Sequence, residues 1–192
     1  IGKPATPVVK VGDLVKVGTL IAEQNGFVSS PVYASVSGKV TKVQDMLLSN
    51  GSYAPAITIE SDGEMAHDES IAPPVINSKE DLLEAIKKSG IVGLGGAGFP
   101  TYVKFNTDKP IEYIVINGAE CEPYITSDTR TMLERSDDIK AGLEAILKYF
   151  EIGSVVFAIE KNKKNCVAEM KKAVGSMNKV EVKALPTIYP QG

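Results

Sequence analysis

The sequence has no tryptophan, one histidine (His67) and two cysteines (Cys121 and Cys166), and aromatic residues make up only 6% of it. Two cysteines in different segments supply neither a disulfide framework nor a metal knuckle, and they suit a reducing compartment. A single histidine in a polar stretch reads as a solvated side chain. No Ser/His/Asp or Cys/His constellation can be assembled around it, which argues against nucleophilic hydrolysis. No apolar run approaches the roughly 18 residues that mark a membrane span, and no signal-peptide pattern is visible, so no transmembrane segment is expected. A formal net charge of −3 leaves no basic footprint and argues against a nucleic-acid partner. What is present, 192 residues with 43% hydrophobic and 23% charged content, suffices to bury a core in one domain of ordinary size plus a small one. The chain opens on Ile1 rather than methionine and stops at a glycine just after a strand pattern, so it is expected to be a piece of a longer protein.

Glycine, by contrast, is concentrated. Gly90, Gly93, Gly95, Gly96 and Gly98 crowd the stretch that leads to Phe99-Pro-Thr101 and Lys104. Each glycine costs about 0.5–1 kcal/mol relative to alanine in ordered backbone, a cost retained where backbone N–H groups must wrap an anion or a flat ring. Gly93, Gly95 and Gly98 form a G-x-G-x-x-G, but in a dinucleotide-binding βαβ unit that pattern follows a strand. Here the preceding Ser78 to Gly90 reads as an amphipathic helix, with Ser78 and Asp81 spaced as a capping box and Gly90 at the C-terminal end. A Walker A loop is excluded because no Gly-Lys-Ser/Thr closes the run, although Lys104 remains within reach of a phosphate. These residues alone imply a phosphate or flavin cradle that is not of the Rossmann type.

Two further stretches carry a family resemblance. Gly93-Leu-Gly-Gly-Ala-Gly-Phe-Pro-Thr101 with Lys104, followed by Asn117-Gly-Ala-Glu-Cys-Glu-Pro-Tyr124, resembles the flavin and NADH site shared by the flavoprotein subunit of respiratory complex I and the RnfC subunit of the Rnf electron-transport complex. The Rnf likeness extends to Met132-Leu-Glu-Arg135, to Tyr189-Pro-Gln-Gly192 and to the N-terminal region, and so covers nearly the whole chain.

The chain divides in composition. Residues 1–63 hold short valine-rich strands at 7–11, 14–17, 19–22, 38–43 and 56–59, punctuated by turns at Gly12-Asp13, Gly18, Ser37-Gly38 and Asn50-Gly51. They resemble the barrel-sandwich hybrid of biotinyl and lipoyl carriers. The hairpin tip at 24–31 has no lysine, so no swinging cofactor can be attached and a structural or docking role is expected. Residues 64–77 are polar and contain Pro73-Pro74, a linker in composition. Residues 78–192 form the third segment. Ile111 to Asn117 is a buried parallel strand by pattern, and ligands of open α/β sheets bind beyond the carboxyl ends of strands, at Asn117 and the loop 120–123. Helices at 128–134, 137–150 and 164–174 alternate with strands at 154–159 and 179–185. That order predicts a mostly parallel, Rossmann-like α/β domain with helices on both faces, and an α+β chain as a whole. The basic helix 161–172 reads as a solvated face.

The resemblance implies more than the pattern does. Gly93, Gly95, Gly96 and Gly98 would line FMN, Lys104 would pair with its phosphate or ribityl side, and Asn117 and Glu120 would contact it, while Phe99 and Glu122 would face NADH. Ala119 stands where the complex I pattern has aspartate, which matches the Rnf type. The implied activity is NADH-dependent reduction of FMN in an ion-translocating NAD:ferredoxin oxidoreductase complex, with no catalytic side chain and no metal site in this chain. Its partners would be the other subunits of that complex, on the cytoplasmic face of the membrane, with the chain held peripherally. 4Fe–4S clusters would lie only in a C-terminal region outside this sequence, and the piece by itself is expected to be inactive. Three alternatives stay open: a soluble relative serving cobalamin or amino-acid reductases, a docking module without redox activity, and a general acid/base pair formed by Glu120 and Glu122. Cys121 as a nucleophile or cluster ligand has the least support, because neither a base nor partner cysteines accompany it.

Overall fold

Valines alternating with polar residues between glycine turns build the first part of the chain from short antiparallel strands. β1 (Thr6–Pro7), β2 (Leu14–Val15), β3 (Leu20–Glu23), β4 (Val32–Tyr33), β5 (Gly38–Leu47) and β6 (Tyr53–Ser61) form two small sheets, ordered β1-β3-β4 and β2-β5-β6. This computed structural model describes residues 2–94 and 97–192, and the chain separates by contact into two compact units, 1–107 and 108–192. Val15, Ile21, Ala34 and Val40, each buried, fill the space between the sheets together with Val9, Val43, Ile57 and Ile59. Gly38 allows the strands to meet: its φ is 150°, and a Cβ there would lie 2.1 Å from the Glu60 carbonyl oxygen. The β5–β6 hairpin turns at Asn50 and Gly51 as the sequence predicts, but its strands run several residues further than the valine pattern shows, to the Leu47–Tyr53 pair. β4 has no sequence signal of its own, because its two residues, Val32 and Tyr33, are half-exposed and follow a proline.

Part of the stretch expected to be a linker is fastened to this sandwich. The Val17 N–H donates to the Ala66 carbonyl at 2.8 Å and the Asp68 N–H to the Val17 carbonyl at 2.9 Å, so that His67 forms a single bridge with Val17. Asp68 accepts from the Thr19 hydroxyl at 2.7 Å and Lys16 pairs with Glu69 at 3.3 Å. An exposed run at 72–75 then leads into α1 (Lys79–Lys88). The capping box is present: the Ser78 hydroxyl accepts from the Asp81 N–H at 3.1 Å, and the Asp81 carboxylate accepts from the Ser78 N–H at 3.2 Å. The glycine loop and the short α2 (Thr101–Phe105) complete the first unit. Contact thus groups residues 78–107 with the sandwich, where the sequence reading groups them with the segment that follows. The Tyr102–Gln24 and Tyr33–Lys88 hydrogen bonds, which no local pattern reveals, are the physical reason.

The second unit is a three-stranded parallel sheet with strand order β7-β8-β9, made of β7 (Ile111–Gly118), β8 (Ile152–Glu160) and β9 (Val180–Leu185). α3 (Ser127–Glu134) and α4 (Ser136–Tyr149) connect the first two strands, and α5 (Lys164–Val174) connects the last two. Met132, Leu143, Cys166, Met170 and Val174 pack against Val155, Phe157 and Ile159, so all three helices cover the same face of β8. The sequence predicts helices on both faces. Strands added in sequence order with right-handed crossovers instead place every connecting helix on one side, and on the other side Tyr113 and Val115 of β7 are about two-thirds exposed.

Candidate functional site

The glycine loop is a closed structure. The Gly90 N–H caps α1 by donating to the Lys87 carbonyl at 3.2 Å, and Gly90 turns the chain at φ 69°. The two sides of the loop then pair. Gly93 donates to the Phe99 carbonyl at 2.8 Å, Thr101 donates to the Ile91 carbonyl at 3.0 Å, and Val92 and Pro100 form a bridge. Gly98 has φ 61°, a backbone that side chains rarely adopt. Gly95 and Gly96, two of the expected flavin-lining residues, lie outside the described residues. Lys104, on α2, returns over the neck of the loop. A Cβ placed on Gly93 would lie 3.6 Å from the Lys104 ammonium and 3.6 Å from the Phe99 carbonyl oxygen. Lys104 is exposed and has no carboxylate partner among the described residues. A group carrying a phosphate fits these features: a side chain at Gly93 would fill the space beside the ammonium, and no described carboxylate compensates the cation there.

The other expected residues belong to the second unit, where β7 ends. Gly118 packs tightly on β8, since a Cβ there would meet the Ala158 carbonyl at 3.0 Å, and this fixes the point at which the loop departs. The Asn117 side-chain oxygen accepts from the Ala119 N–H at 3.1 Å, which leaves its exposed amide NH2 group free to donate. Glu122 is exposed and accepts from the Tyr189 hydroxyl at 3.2 Å. That bond raises the Tyr189 phenol above its ordinary value, helped by the charge of Glu122. The Gly192 N–H points at the Cys121 sulfur at 3.2 Å. Tyr124 lies between Pro123 and Ile125 at φ 66° with its ring fully exposed, an outlier for an aromatic residue.

Glu120 has a different environment from Glu122. Its side chain is 2% exposed and accepts from the Asp128 N–H at 2.8 Å, the Thr129 N–H at 3.4 Å, the Thr129 hydroxyl and the Lys163 ammonium at 3.0 Å. Burial alone would raise its pKa, but the bonds from Thr129, Lys163 and the backbone of Asp128 and Thr129 outweigh burial and hold it below the ordinary carboxylate range. Thr126, at the N-cap of α3, makes no side-chain cap, and Glu120 satisfies those N–H groups from outside the helix. The carboxylate is therefore ionised, enclosed and engaged, a poor partner for Glu122 in acid/base chemistry. The Cys166 thiol is pushed up by burial and is inert.

Lys163 corrects the reading of the basic helix as a solvated face. Its side chain is 20% exposed and bonds both Glu120 and, at 3.0 Å, the Thr129 hydroxyl. Lys163, Thr129, Tyr189 and Gly192 had no sequence signal beyond the Rnf-like terminal phrase, because their partners lie far away along the chain.

Comparison with known proteins accords with this arrangement. Residues 1–64 match the family model described as the RnfC barrel sandwich hybrid domain, and residues 86–192 match the one described as the Nuo51 FMN-binding domain. The chain is 46% identical over 198 residues to the RnfC-type subunit of the proton-translocating ferredoxin:NAD(+) oxidoreductase complex of Clostridium ljungdahlii. It is 44% identical over 199 residues to the counterpart from the Na(+)-translocating complex of Acetobacterium woodii, and 37% identical over 207 residues to that from the ion-translocating oxidoreductase complex of Rhodobacter capsulatus. All of this chain is covered in each case, and it spans 43%, 44% and 38% of their respective lengths. With a sandwich of the RnfC type followed by an FMN-binding domain of the Nuo51 type, the chain belongs to the RnfC family of oxidoreductase complex subunits.

Proposed function

We propose that this chain is the part of an Rnf-type subunit that binds FMN and receives electrons from NADH. The observation that carries the reading is the closed glycine loop with the Lys104 ammonium at its neck. In the first unit, Gly93, Gly98 and the two glycines between them leave room for the cofactor, and Lys104 holds its phosphate or ribityl side. In the second unit, the free amide of Asn117 donates to it, and Glu120 keeps the loop after β7 in shape through α3 and Lys163. Phe99 and Glu122 bind NADH. When bound, FMN accepts a hydride from NADH and releases electrons singly toward iron–sulfur clusters carried elsewhere in the full-length protein. The chain's own residues bind, orient and charge-balance these groups; no side chain is required to move a proton.

Among the described residues no helix is long and apolar enough to cross a membrane. Peripheral attachment on the cytoplasmic side, through the other subunits of an Rnf complex, accords with this and with the names of the relatives.

The test uses the full-length protein. A charge-assisted hydrogen bond to phosphate contributes about 1.5–3 kcal/mol, so Lys104→Ala weakens FMN binding about ten- to hundredfold in a fluorescence titration. With FMN saturating, Glu122→Gln leaves flavin occupancy intact and changes the apparent NADH constant or the rate of flavin bleaching in stopped flow. Unchanged FMN affinity in Lys104→Ala together with wild-type bleaching in Glu122→Gln would refute the assignment.

A further inference from the structure

Both ends of the glycine loop are fastened to one short piece of the sandwich. At the C-terminal end, Tyr102 of α2 is 7% exposed, and its hydroxyl donates to the Phe27 carbonyl while accepting from the Gln24 amide at 2.8 Å. The same amide donates to the Gly26 carbonyl at 2.7 Å, which fixes the turn that presents Phe27. The Phe27 ring meets the Tyr102 ring edge to face, 6.3 Å between centroids and 80° between planes, and the Lys87 ammonium lies 5.9 Å from the Tyr102 ring centre. At the N-terminal end, the Tyr33 hydroxyl donates to the Lys88 carbonyl in the last turn of α1. One residue past the helix cap, Gly90 faces the same piece: a Cβ there would lie 3.0 Å from the Pro31 carbonyl and 3.6 Å from the Tyr33 ring.

We infer that the segment Gln24–Tyr33 is a clamp that holds the two ends of the glycine loop at a set separation, with Tyr102 as its positioning residue. A loop rich in glycine loses a large entropy in holding one conformation, and a ligand that must order it binds more weakly by that amount. Two anchors, with the Gly93–Phe99 and Thr101–Ile91 bonds between them, remove most of that entropy before a ligand arrives. The hydroxyl of Tyr102 is the part that specifies position, because the ring alone can slide in its apolar contact while the two hydrogen bonds cannot be kept in another register. The clamp also gives the sandwich its function: the tip, which has no lysine, is a scaffold for the loop.

The consequence for flavin rests on the reading above, whereas the clamp itself does not, and the experiment separates the two. Hydrogen–deuterium exchange is followed in the full-length protein without FMN, for wild type, Tyr102→Phe, Gln24→Ala and Tyr33→Phe. Gln24→Ala serves as the milder change if Tyr102→Phe folds poorly. Peptides covering 91–103 are expected to exchange at least tenfold faster in the variants, with β5 and β6 protected as in wild type. FMN affinity is expected to fall about three- to tenfold in Tyr102→Phe, while flavin reduction at saturating FMN keeps its wild-type rate, a split that a general loss of stability would not produce. Unchanged exchange across 91–103 in both Tyr102→Phe and Gln24→Ala overturns the clamp. Faster exchange with unchanged FMN affinity upholds the clamp and overturns the glycine loop as the flavin site.

Discussion

Replacing Lys163 by methionine keeps most of the side-chain volume and removes the cation that pairs with Glu120. The carboxylate left behind is 2% exposed, so water cannot take over the lost contact. Breaking a buried ion pair by deleting one partner costs about 3–5 kcal/mol. Two features lower that figure here. The Lys163 side chain is itself 20% exposed, and Glu120 keeps its bonds from the Asp128 N–H and the Thr129 N–H and hydroxyl. A loss of about 2–3 kcal/mol remains, comparable to one or two hydrogen bonds to a charged group. With a urea slope of about 2 kcal/mol/M, the unfolding midpoint of the second unit drops by roughly 1–1.5 M. Far-UV circular dichroism follows it, since α3, α4 and α5 carry most of the helix in the chain. Acid sensitivity moves in a set direction. The Glu120 pKa is depressed in the folded state, so its contribution is present above the unfolded carboxylate value and is lost as pH falls through the lower folded one. Without Lys163 burial is opposed by fewer bonds, the folded pKa rises, and acid unfolding starts at higher pH. Glu120→Gln combined with Lys163→Met should cost less than the sum of the single changes, because the pair is coupled. A single variant with the wild-type urea midpoint and the wild-type acid transition would refute the account of this network.

Two further predictions concern features away from it. Tyr124→Gly relieves a left-handed backbone that costs an L-residue about 1–2 kcal/mol, against about 0.5–1 for the added freedom of glycine, and loses no packing because the ring is fully exposed; a small net gain in urea stability is expected, and a loss would mean that the ring has a contact the geometry does not explain. Asp68 is held at a pKa of about 2 by hydrogen bonds from Ser70 and Thr19, with Lys16 adding charge, so its carboxylate signal in NMR should stay ionised until pH approaches that value and Thr19→Val should move the midpoint upward. The sign follows from the depressed pKa: this attachment of the 62–70 strap persists from neutral pH down past the ordinary carboxylate range and fails only as pH falls through about 2.

Features that depend on neighbours a few residues apart were legible in the sequence. The Ser78–Asp81 capping box spans one helical turn, α5 follows its apolar period from Lys164 to Val174, and the β5–β6 turn is announced by Asn50-Gly51. The loop itself was visible in its glycines, and Lys104 in its distance from them along the chain. The second unit's parallel sheet was legible in the alternation of apolar runs and helices, though not its one-sided cover, because the order of strands in space is decided by crossovers and not by any single strand. What the tertiary structure alone decided is which side chains complete the site. Gln24 meets Tyr102 across 78 positions, Lys163 meets Glu120 across 43, and Tyr189 meets Glu122 across 67. A side chain's local pattern records whether it faces water or core, and it carries no information about which distant segment arrives beside it. Glu120 and Glu122, two residues apart and chemically alike, show the difference: folding encloses one against Lys163 and a helix terminus and leaves the other exposed beside Tyr189.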